Sequence, residues 1–477
     1  MQTQLLIVGG GMAGFSAALE AAEAGIQVVL LEKQEVTGGS SAMSGGCLAF
    51  AGTDLQAANG VVDSKELLKR DLLEVGQHEN DVSLVDAYVD NQLNTYEWLR
   101  DHGVSFSPII EASSGQSVPR AHNIDPADTV RLLQQLSAAT GRVQVLMSTR
   151  ALRLLQRDAT APVTGLIAEQ NGERIEINAE LGVLLASGGF CRNAELVHQW
   201  APLYDNAVFV GGDGNVGDGL RMAWKLGADV RDMGYIKGTF GKHPVDTLNH
   251  HSCQAVYKGA IAVNQAGKRF VDESISYKLL GDACMKEAYH TCYQIFDQPI
   301  FESGDDRVRI MDFNRRLEDG LLLQTDTLQE LAELIEIPYA QLQATVDRYN
   351  QAVDAGQDED FGRKHLVHNH GSLRRIEQAP FYAYPSTAAV FGTYCGLRID
   401  ARMQVIDVFG APIDKLYAAG EVAGGFHGGA YMTGSALGKA TIFGRLAART
   451  AQASSGDADA DTRAAALAAG AASAAVL

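Results

Sequence analysis

The chain has 477 residues, 46% of them hydrophobic and 20% charged, a composition typical of a globular protein that is long enough for two or three domains. Its formal net charge of −19 argues against nucleic acid or an anionic membrane surface as a partner. No apolar run reaches the roughly 18 residues of a membrane helix, and Met1-Gln2-Thr3 leads directly into an apolar stretch. We therefore expect a cytoplasmic protein without a signal peptide or membrane insertion.

Residues 4–32 predict a strand, a glycine-rich turn, a helix and a second strand, in that order. The turn reads Gly9-Gly10-Gly11-Met12-Ala13-Gly14. In this pattern the first glycine permits a tight turn, Gly11 lets the backbone approach a pyrophosphate, and Gly14 lets helix and strand pack closely. Glu32 ends the second strand, where a carboxylate accepts hydrogen bonds from a ribose. The segment predicts a dinucleotide site.

The residues that follow distinguish FAD from NAD. A second glycine- and serine-rich loop, KQEVTGGSSAMSGGC, begins directly after Glu32. FAD is longer, and its pyrophosphate and ribityl chain extend past the first turn, whereas a single NAD site does not need this loop. The predicted FAD contacts in this part of the chain are Gly9, Gly11, Met12, Ala13, Gly14, Glu32, Lys33, Gly38, Gly39, Ser40, Ser41, Ser44, Gly45 and Gly46.

Helical periodicity over residues 64–76 and 83–103 precedes a polar loop. Arg120 and His122 in this loop are candidates for substrate binding, with a solvated loop as the alternative. Asp125-Pro126 predicts the start of a helix that continues to about residue 139. Residues 152–185 predict a β-meander whose last strand returns to the nucleotide domain and ends near Gly188, a predicted cofactor contact. Asp218 opens a later helix, as a cap or as a cofactor contact.

From residue 235 the pattern changes, which predicts a separate α+β domain inserted into the first. Its histidines, His243, His250 and His251, lack the spacing of metal ligands, so we predict no metal site. The predicted boundaries are residues 1–234 and 373–451 for the two parts of the nucleotide-binding domain and 235–372 for the inserted domain. Residues 452–477 are rich in Ala, Gly, Ser and Asp and predict a disordered tail.

Together these segments resemble the fumarate reductase and 3-ketosteroid dehydrogenase flavoprotein family over nearly all of residues 1–450. The resemblance is carried by GGGMAG, GGSSAMSGG, the GDG at Gly217, the GKRFVDES at Gly267, and the final AAGEVAGG and GSALGKATIFGR. It implies an α/β fold: a Rossmann-like FAD-binding domain of the glutathione-reductase type with an inserted α+β capping domain. It also implies further flavin contacts at Gly420, Glu421, Ser435, Ala436 and Leu437. The His-Thr segment used for covalent attachment is missing from residues 40–46, so FAD is expected to be non-covalent.

Departures from the fumarate reductase pattern favour the ketone-desaturating branch. Tyr431 stands where fumarate reductases carry an arginine, and Ser274-Ile275-Ser276-Tyr277 replaces a segment with a second arginine. The 3-ketosteroid dehydrogenase pattern implies Tyr277 as the proton-abstracting base, and Tyr431 with the Gly434 N–H as the donors that polarise the ketone. Tyr394 and His427 lie in matching segments as candidate substrate contacts.

The expected activity is FAD-dependent α,β-dehydrogenation of a ketone, cyclic or a 3-ketosteroid, with hydride transfer to flavin N5 and electrons passing to a quinone, dye or oxygen. One alternative is the reverse reaction, a fumarate-type or enone reductase. Another is an electron-transfer flavoprotein subunit that docks with iron–sulfur and membrane partners.

Overall fold

The computed structural model describes residues 1–245, 252–367 and 369–474, with side chains up to residue 454 in the last range. The strands are β1 Gln2–Val8, β2 Val28–Leu31, β3 Cys47–Ala49, β4 Ala121–Asn123, β5 Val143–Leu146, β6 Thr149–Gln156, β7 Val163–Gln170, β8 Glu173–Leu185, β9 Val208–Phe209, β10 Val230–Arg231, β11 Ile236–Lys242, β12 Ile261–Val263, β13 Cys292–Asp297, β14 Leu323–Thr325, β15 Phe381–Thr393, β16 Gly396–Leu397, β17 Gln404–Ile406 and β18 Pro412–Ala418.

The helices are α1 Met12–Glu23, α2 Gly39–Met43, α3 Asp54–Ala58, α4 Lys65–Val75, α5 Val82–Asp101, α6 Pro126–Ala139, α7 Ala194–Trp200, α8 Asp218–Trp224, α9 Tyr277–Lys286, α10 Gln298–Phe301, α11 Phe313–Glu318, α12 Leu328–Leu334, α13 Tyr339–Ala355 and α14 Ser435–Ala474. None of the helices in the described ranges has the length and apolar character needed to cross a bilayer.

The first sheet has eight strands and carries the nucleotide-binding motif. Its main path runs β17-β18-β8-β1-β2-β5, and β18, β8, β1, β2 and β5 are parallel. Strands β6, β7 and β8 form the antiparallel meander predicted for residues 152–185, and β8 returns beside β1 as expected. The central strand β1 is buried on both faces, which explains its continuous apolar run, Leu5 to Val8.

A second, six-stranded sheet belongs to the capping part of the fold. Its main path runs β11-β15-β13-β12, with β9 and β14 also pairing with the long strand β15. A separate hydrophobic core surrounds this sheet, and Tyr277, Tyr394 and Tyr431 belong to that core. The fold is therefore mixed α/β, with two cores that meet where these tyrosines lie.

Local sequence signals explain most element boundaries. The Asp125 side chain accepts a hydrogen bond from the Asp128 N–H and Pro126 is the first residue of α6, which confirms the predicted start of that helix. Helix α9 ends at Lys286, because Glu287 is extended with ψ of 159° and Tyr289 is left-handed with φ of 63°. The α14 backbone continues to Ala474, into residues 452–474 of the predicted tail. Residues 475–477 lie outside the described residues.

Candidate active site

A cavity of about 1360 Å³ extends from the glycine-rich turn after β1 to the tyrosines of the second core. One end is lined by the two glycine-rich loops and the ends of β1 and β2. The other end is lined by side chains from β11, α9, the end of β15 and the segment before α14. This arrangement places the carboxyl ends of the parallel strands against the second sheet, the usual location of a ligand in an open α/β sheet.

The turn after β1 can only be built from glycine at its critical positions. Gly9 has φ of +114°, and a Cβ there would lie 2.3 Å from the Ala186 carbonyl oxygen. A Cβ on Gly14 would lie 1.9 Å from the Gly9 carbonyl oxygen, so this glycine permits the close helix–strand packing that the sequence predicts. Helix α1 begins without a side-chain cap and without an acidic residue in its first turn. Its N-terminal amides and positive dipole therefore suit a pyrophosphate.

Carboxylates lie at the expected places beside this turn. Glu32 directly follows β2, and its Oε2 accepts a hydrogen bond from the Gly10 N–H over 2.9 Å. Asp218 lines the cavity at the start of α8, where it pairs with Lys33 over 2.7 Å and with Arg150 over 2.8 Å. Burial alone would raise the pKa of Asp218, but hydrogen bonds from Arg150 and Lys33 outweigh burial and lower it. Asp218 thus fixes Lys33 against the cavity wall.

Most of the predicted cofactor contacts line the cavity. They are Gly9, Gly11, Met12, Ala13, Glu32, Lys33, Gly38, Gly39, Ser40, Ser41, Ser44, Gly45, Gly46, Gly188, Asp218, Gly420, Glu421, Ala436 and Leu437. Gly14 and Ser435 lie behind the wall: Gly14 packs against Gly9, and the buried Ser435 hydroxyl donates to the Met432 carbonyl over 2.7 Å.

Glu421 is a buried carboxylate in the middle of this wall. Its Oε1 accepts a hydrogen bond from the Thr393 N–H over 2.9 Å, and its Oε2 accepts one from the Asn215 side chain over 3.2 Å. Burial raises its pKa, and the Thr393 amide, Lys237 and Lys439 partly counter that shift. Burial also lowers the pKa of Lys439 to about 8, while its Nζ donates to the Ala423 carbonyl over 2.9 Å.

Three tyrosine rings form a cluster at the far end of the cavity. The Tyr431 ring stacks on that of Tyr394 at 5.3 Å with an interplanar angle of 14°, and the centroids of Tyr277 and Tyr431 are 5.7 Å apart. Tyr277 is the first residue of α9, where Ser276 caps the helix. The structure therefore brings together the two tyrosines that the sequence singled out for chemistry, with Tyr394 beside them.

The hydrogen bonds around this cluster differ from the predicted arrangement. The Gly434 N–H, predicted to face a ketone oxygen, donates instead to the Tyr431 hydroxyl over 3.2 Å. The Thr433 hydroxyl donates to the Tyr277 hydroxyl over 3.2 Å. The buried Tyr394 hydroxyl has no hydrogen-bond partner among the described residues. In each case the phenolic proton is left for a ligand.

The protonation of Tyr277 bears on its predicted role as a base. Burial raises its pKa well above the ordinary value of 10, the neighbouring Tyr431 adds to that rise, and the bond from Thr433 only partly opposes it. Burial likewise raises the pKa of Tyr394. Tyr277 therefore keeps its proton at neutral pH in the ligand-free protein, and its predicted role as a base requires a group that lowers this pKa.

His427 lines the cavity as a neutral imidazole. Its ring lies 4.9 Å from that of Tyr394, and its Nδ1 is 3.4 Å from the Ser435 hydroxyl. Burial lowers its pKa well below 6.5, and the nearby Lys439 and Lys237 lower it further. His427 therefore adds an aromatic wall and a polar nitrogen to the cluster but no positive charge.

Arg120 and His122, the other predicted substrate contacts, take part in the internal packing of the protein. Arg120 is fully buried and binds Asp63 over 2.6 Å and Asp71 over 2.5 Å. The His122 Nδ1 donates to the Arg120 carbonyl over 2.9 Å, and its Nε2 lies 2.8 Å from the Thr53 hydroxyl. Both side chains are thus occupied within the fold, and the prediction that they reach a substrate has no support from their contacts.

Lys237 is a site residue that sequence reasoning missed. It lies in β11, where it is paired with Gly392 of β15, and its Nζ is 4.4 Å from the centroid of the Tyr431 ring. Strand β11 reads Ile-Lys-Gly-Thr-Phe-Gly-Lys, and nothing in that stretch separates Lys237 from Lys242 as a site residue. Its position beside Tyr431 depends on strand pairing that the local sequence does not specify.

No group of three or more His, Cys, Asp or Glu residues in the described ranges is arranged to hold a metal ion. His243 is buried, and its ring lies 5.6 Å from that of Tyr384. His250 and His251 lie outside the described residues.

The glycine cradle, the uncapped N-terminus of α1 and Glu32 at the end of β2 fit a dinucleotide, and the cavity continues past them far enough for an FAD. The fold and this cavity define a flavoprotein. The chain belongs to the FAD binding domain family, whose profile matches residues 4–437.

Known proteins similar to this chain include reductases and a dehydrogenase. The chain is 32% identical to a fumarate reductase (cytochrome) of Shewanella frigidimarina, with 94% of this chain and 76% of that protein aligned. It is 33% identical to the urocanate reductase of Eggerthella lenta, over 94% of this chain and 74% of that protein. Among solved structures, the 3-ketosteroid-Δ4-(5α)-dehydrogenase of Rhodococcus jostii RHA1 superposes with a TM-score of 0.78 at 25% identity, over 94% of this chain and 96% of that one.

Proposed function

We propose that this FAD-dependent oxidoreductase reduces a carbon–carbon double bond that is conjugated to a single electron-withdrawing group. The observation that carries the proposal is the Tyr277 hydroxyl, which lies at the cavity, accepts a hydrogen bond from the Thr433 hydroxyl over 3.2 Å and keeps its own proton to give. Burial raises the pKa of Tyr277 well above 10, so this phenol is protonated at neutral pH. Desaturation would use the same tyrosine as a base, so the reductive direction rests on the reductases to which the chain is similar.

The chemistry adds two hydrogens across the double bond. Reduced FAD, held by the two glycine-rich loops, would supply the hydride for the β-carbon and so return to its oxidised form. The Tyr277 hydroxyl gives its proton to the α-carbon, so the double bond becomes a CH–CH single bond, and the phenolate regains a proton from solvent. The Thr433 hydroxyl, which donates to the Tyr277 oxygen, stabilises the phenolate that forms.

The tyrosine cluster holds the activating group of the substrate. The O–H groups of Tyr431 and Tyr394 are free to donate hydrogen bonds to an oxygen on the substrate. Such hydrogen bonds withdraw electron density from the β-carbon, which then accepts a hydride more readily. The arginines that line the cavity, Arg307, Arg309 and Arg374, are exposed residues of the capping part, and Arg307 already pairs with Asp305. This arrangement suits one activating group better than the two carboxylates of fumarate, which arginines usually bind.

The similar fumarate and urocanate reductases support the reductive direction, because both names describe reductions. Ketone desaturation remains a second candidate. It is supported by the Tyr277 and Tyr431 positions and by the similarity to the 3-ketosteroid dehydrogenase structure. In desaturation Tyr277 would remove the proton that it donates in the reduction, and Tyr431 would hold the ketone oxygen.

The test is anaerobic and uses both directions. The holoprotein is first reduced with one equivalent of dithionite and then mixed with cyclohex-2-enone, cinnamate, urocanate or fumarate, and the return of the flavin absorbance is followed. We expect at least one singly activated alkene to react faster than fumarate, and Tyr277→Phe to slow that reaction by about 100-fold or more while FAD stays bound.

Two outcomes would count against the proposal. In the first, fumarate is the fastest substrate and Tyr277→Phe reacts at the wild-type rate, which rejects both the singly activated substrate and Tyr277 as the proton donor. Alternatively, cyclohexanone or a saturated 3-ketosteroid bleaches the oxidised holoprotein while no alkene restores the colour of the reduced one, which establishes the desaturase.

A further inference from the structure

Lys237 is the cation of the cavity wall that lies against the tyrosine cluster. Its Nζ lies over the Tyr431 ring, 4.4 Å from the centroid, and within the part of the chain that the structure describes it forms no ion pair within 4 Å, although its charge counters the rise in the pKa of Glu421. Among the other cations of the wall, Lys33 pairs with Asp218 and Lys439 donates to the Ala423 carbonyl, whereas Lys258, Arg309 and Arg374 likewise have no ion pair among the described residues. Lys237 therefore presents its N–H donors to the tyrosine cluster.

The groups around Lys237 are rich in donors and poor in acceptors. The hydroxyl oxygens of Tyr277 and Tyr431 each accept one bond from the protein and keep their own protons, and the Tyr394 hydroxyl is unpartnered among the described residues. A ketone oxygen has two lone pairs, whereas a carboxylate offers about four acceptor positions. The phenolic protons of Tyr431 and Tyr394 and the Lys237 ammonium group are thus better satisfied by a carboxylate than by a ketone.

We infer that Lys237, with the hydroxyls of Tyr431 and Tyr394, forms a subsite for one carboxylate, and that the substrates are α,β-unsaturated monocarboxylic acids. This inference rests on the proposed reductase function and specifies that the activating group of the substrate is a carboxylate. Reduction of an alkene conjugated to a carboxylate places additional negative charge on a group that is already anionic. A cation beside that group offsets the charge, and one such cation matches one carboxylate.

The subsite is tested by binding, without turnover. Oxidised holoprotein is titrated with benzoate and with benzamide, which have the same shape but differ in charge and contain no bond that the proposed reaction can change. The flavin difference spectrum reports occupancy. We expect benzoate to bind about tenfold or more tightly than benzamide, since a charge-assisted hydrogen bond distinguishes the two. Phthalate, with two carboxylates, should gain nothing over benzoate.

Variants separate a charge-binding role from a packing role. Lys237→Met should remove the preference for benzoate and leave benzamide affinity within about twofold of wild type, whereas Lys237→Arg should retain the preference. Lys286→Met removes an exposed lysine from the end of α9 and serves as the matched control, with the preference expected to persist. FAD content and thermal unfolding are measured for each variant, and Lys237→Gln replaces Lys237→Met if that protein loses FAD.

Equal affinities of the wild-type protein for benzoate and benzamide would overturn the inference. So would a Lys237→Met protein that loses affinity for both ligands alike, because Lys237 would then act only by supporting the Tyr431 ring. The proposed function can fail separately: a Lys237-dependent preference for benzoate, found in a protein whose reduced form reacts with no alkene, establishes the carboxylate subsite and rejects the reductase.

Discussion

The backbone N–H of Gly434 donates a hydrogen bond to the hydroxyl oxygen of Tyr431 over 3.2 Å. The sequence predicted that both groups donate to one substrate oxygen. In the structure the Gly434 amide donates to the Tyr431 oxygen, and the Tyr431 O–H is the group that is available to a ligand. Because the amide polarises the phenol, the Tyr431 O–H becomes a stronger donor toward a ligand. Gly434 therefore acts through Tyr431.

Tyr431→Phe should reduce substrate turnover strongly, because it removes the donor to the activating group and leaves the Gly434 amide without its acceptor. We expect kcat/KM to fall about 100-fold, measured on the alkene that reacts best with the wild-type protein, with FAD content unchanged. Tyr289→Phe, at a tyrosine that is 84% exposed, is the control. A Tyr431→Phe protein that matches this control would remove Tyr431 from the site.

Tyr394→Phe should leave the stability of the holoprotein unchanged or raise it by up to about 1 kcal/mol, because a buried hydroxyl without a partner is costly in the ligand-free protein. Tyr88 provides a matched comparison: it is equally buried, but its hydroxyl donates to the Ala49 carbonyl over 2.7 Å. Tyr88→Phe should lower the free energy of unfolding by about 1 kcal/mol. Thermal unfolding of both variants checks the ranking, and the reverse order would contradict it.

Stability should decline in mild acid because of His122. Burial lowers the pKa of this histidine from 6.5 to about 4, so between these values the unfolded chain binds the proton and the folded protein does not. The stability that neutral His122 contributes is present above pH 6.5 and is lost as the pH falls toward 4, by about 3 kcal/mol in total.

The measurement is urea unfolding from pH 7 to pH 4. Replacement of His122 by glutamine should flatten part of the pH dependence, and the buried His427, whose pKa is also lowered, should account for a further part. An unchanged slope in His122→Gln would show that this histidine does not titrate as expected.

Arg120→Met should destabilise the protein without altering substrate affinity. The Arg120 guanidinium holds Asp63 and Asp71, and all three side chains are buried, so the variant would leave two carboxylates without their counterion. Loss of one partner of a buried ion pair costs about 3 kcal/mol or more. Arg131→Met, which breaks an exposed pair with Asp128, should cost less than about 1 kcal/mol. Unfolding by urea tests the difference; a raised KM with normal stability would restore Arg120 as a substrate contact.

Local signals were sufficient to predict much of the fold. The turn at Gly9 and the start of α6 at Pro126 are encoded in short stretches where glycine conformation and capping act within a few residues. Tyr277 and Tyr431 were identified because their segments resemble the 3-ketosteroid dehydrogenase pattern.

The sequence by itself determined that the chain builds a dinucleotide turn and a second glycine loop, since these depend on backbone conformation and residue type within single segments, whereas the roles of Tyr277 and Tyr431 came from a family resemblance and stay predictions. Only the tertiary structure decided that Lys237 lies over Tyr431, that Arg120 is held by Asp63 and Asp71, and that burial keeps the proton on Tyr277. Those relationships depend on the pairing of β11 with β15 and on packing between distant segments. Through burial and the distances between charged groups, these contacts decide which side chains are paired and which keep a proton, and local sequence patterns do not encode either quantity.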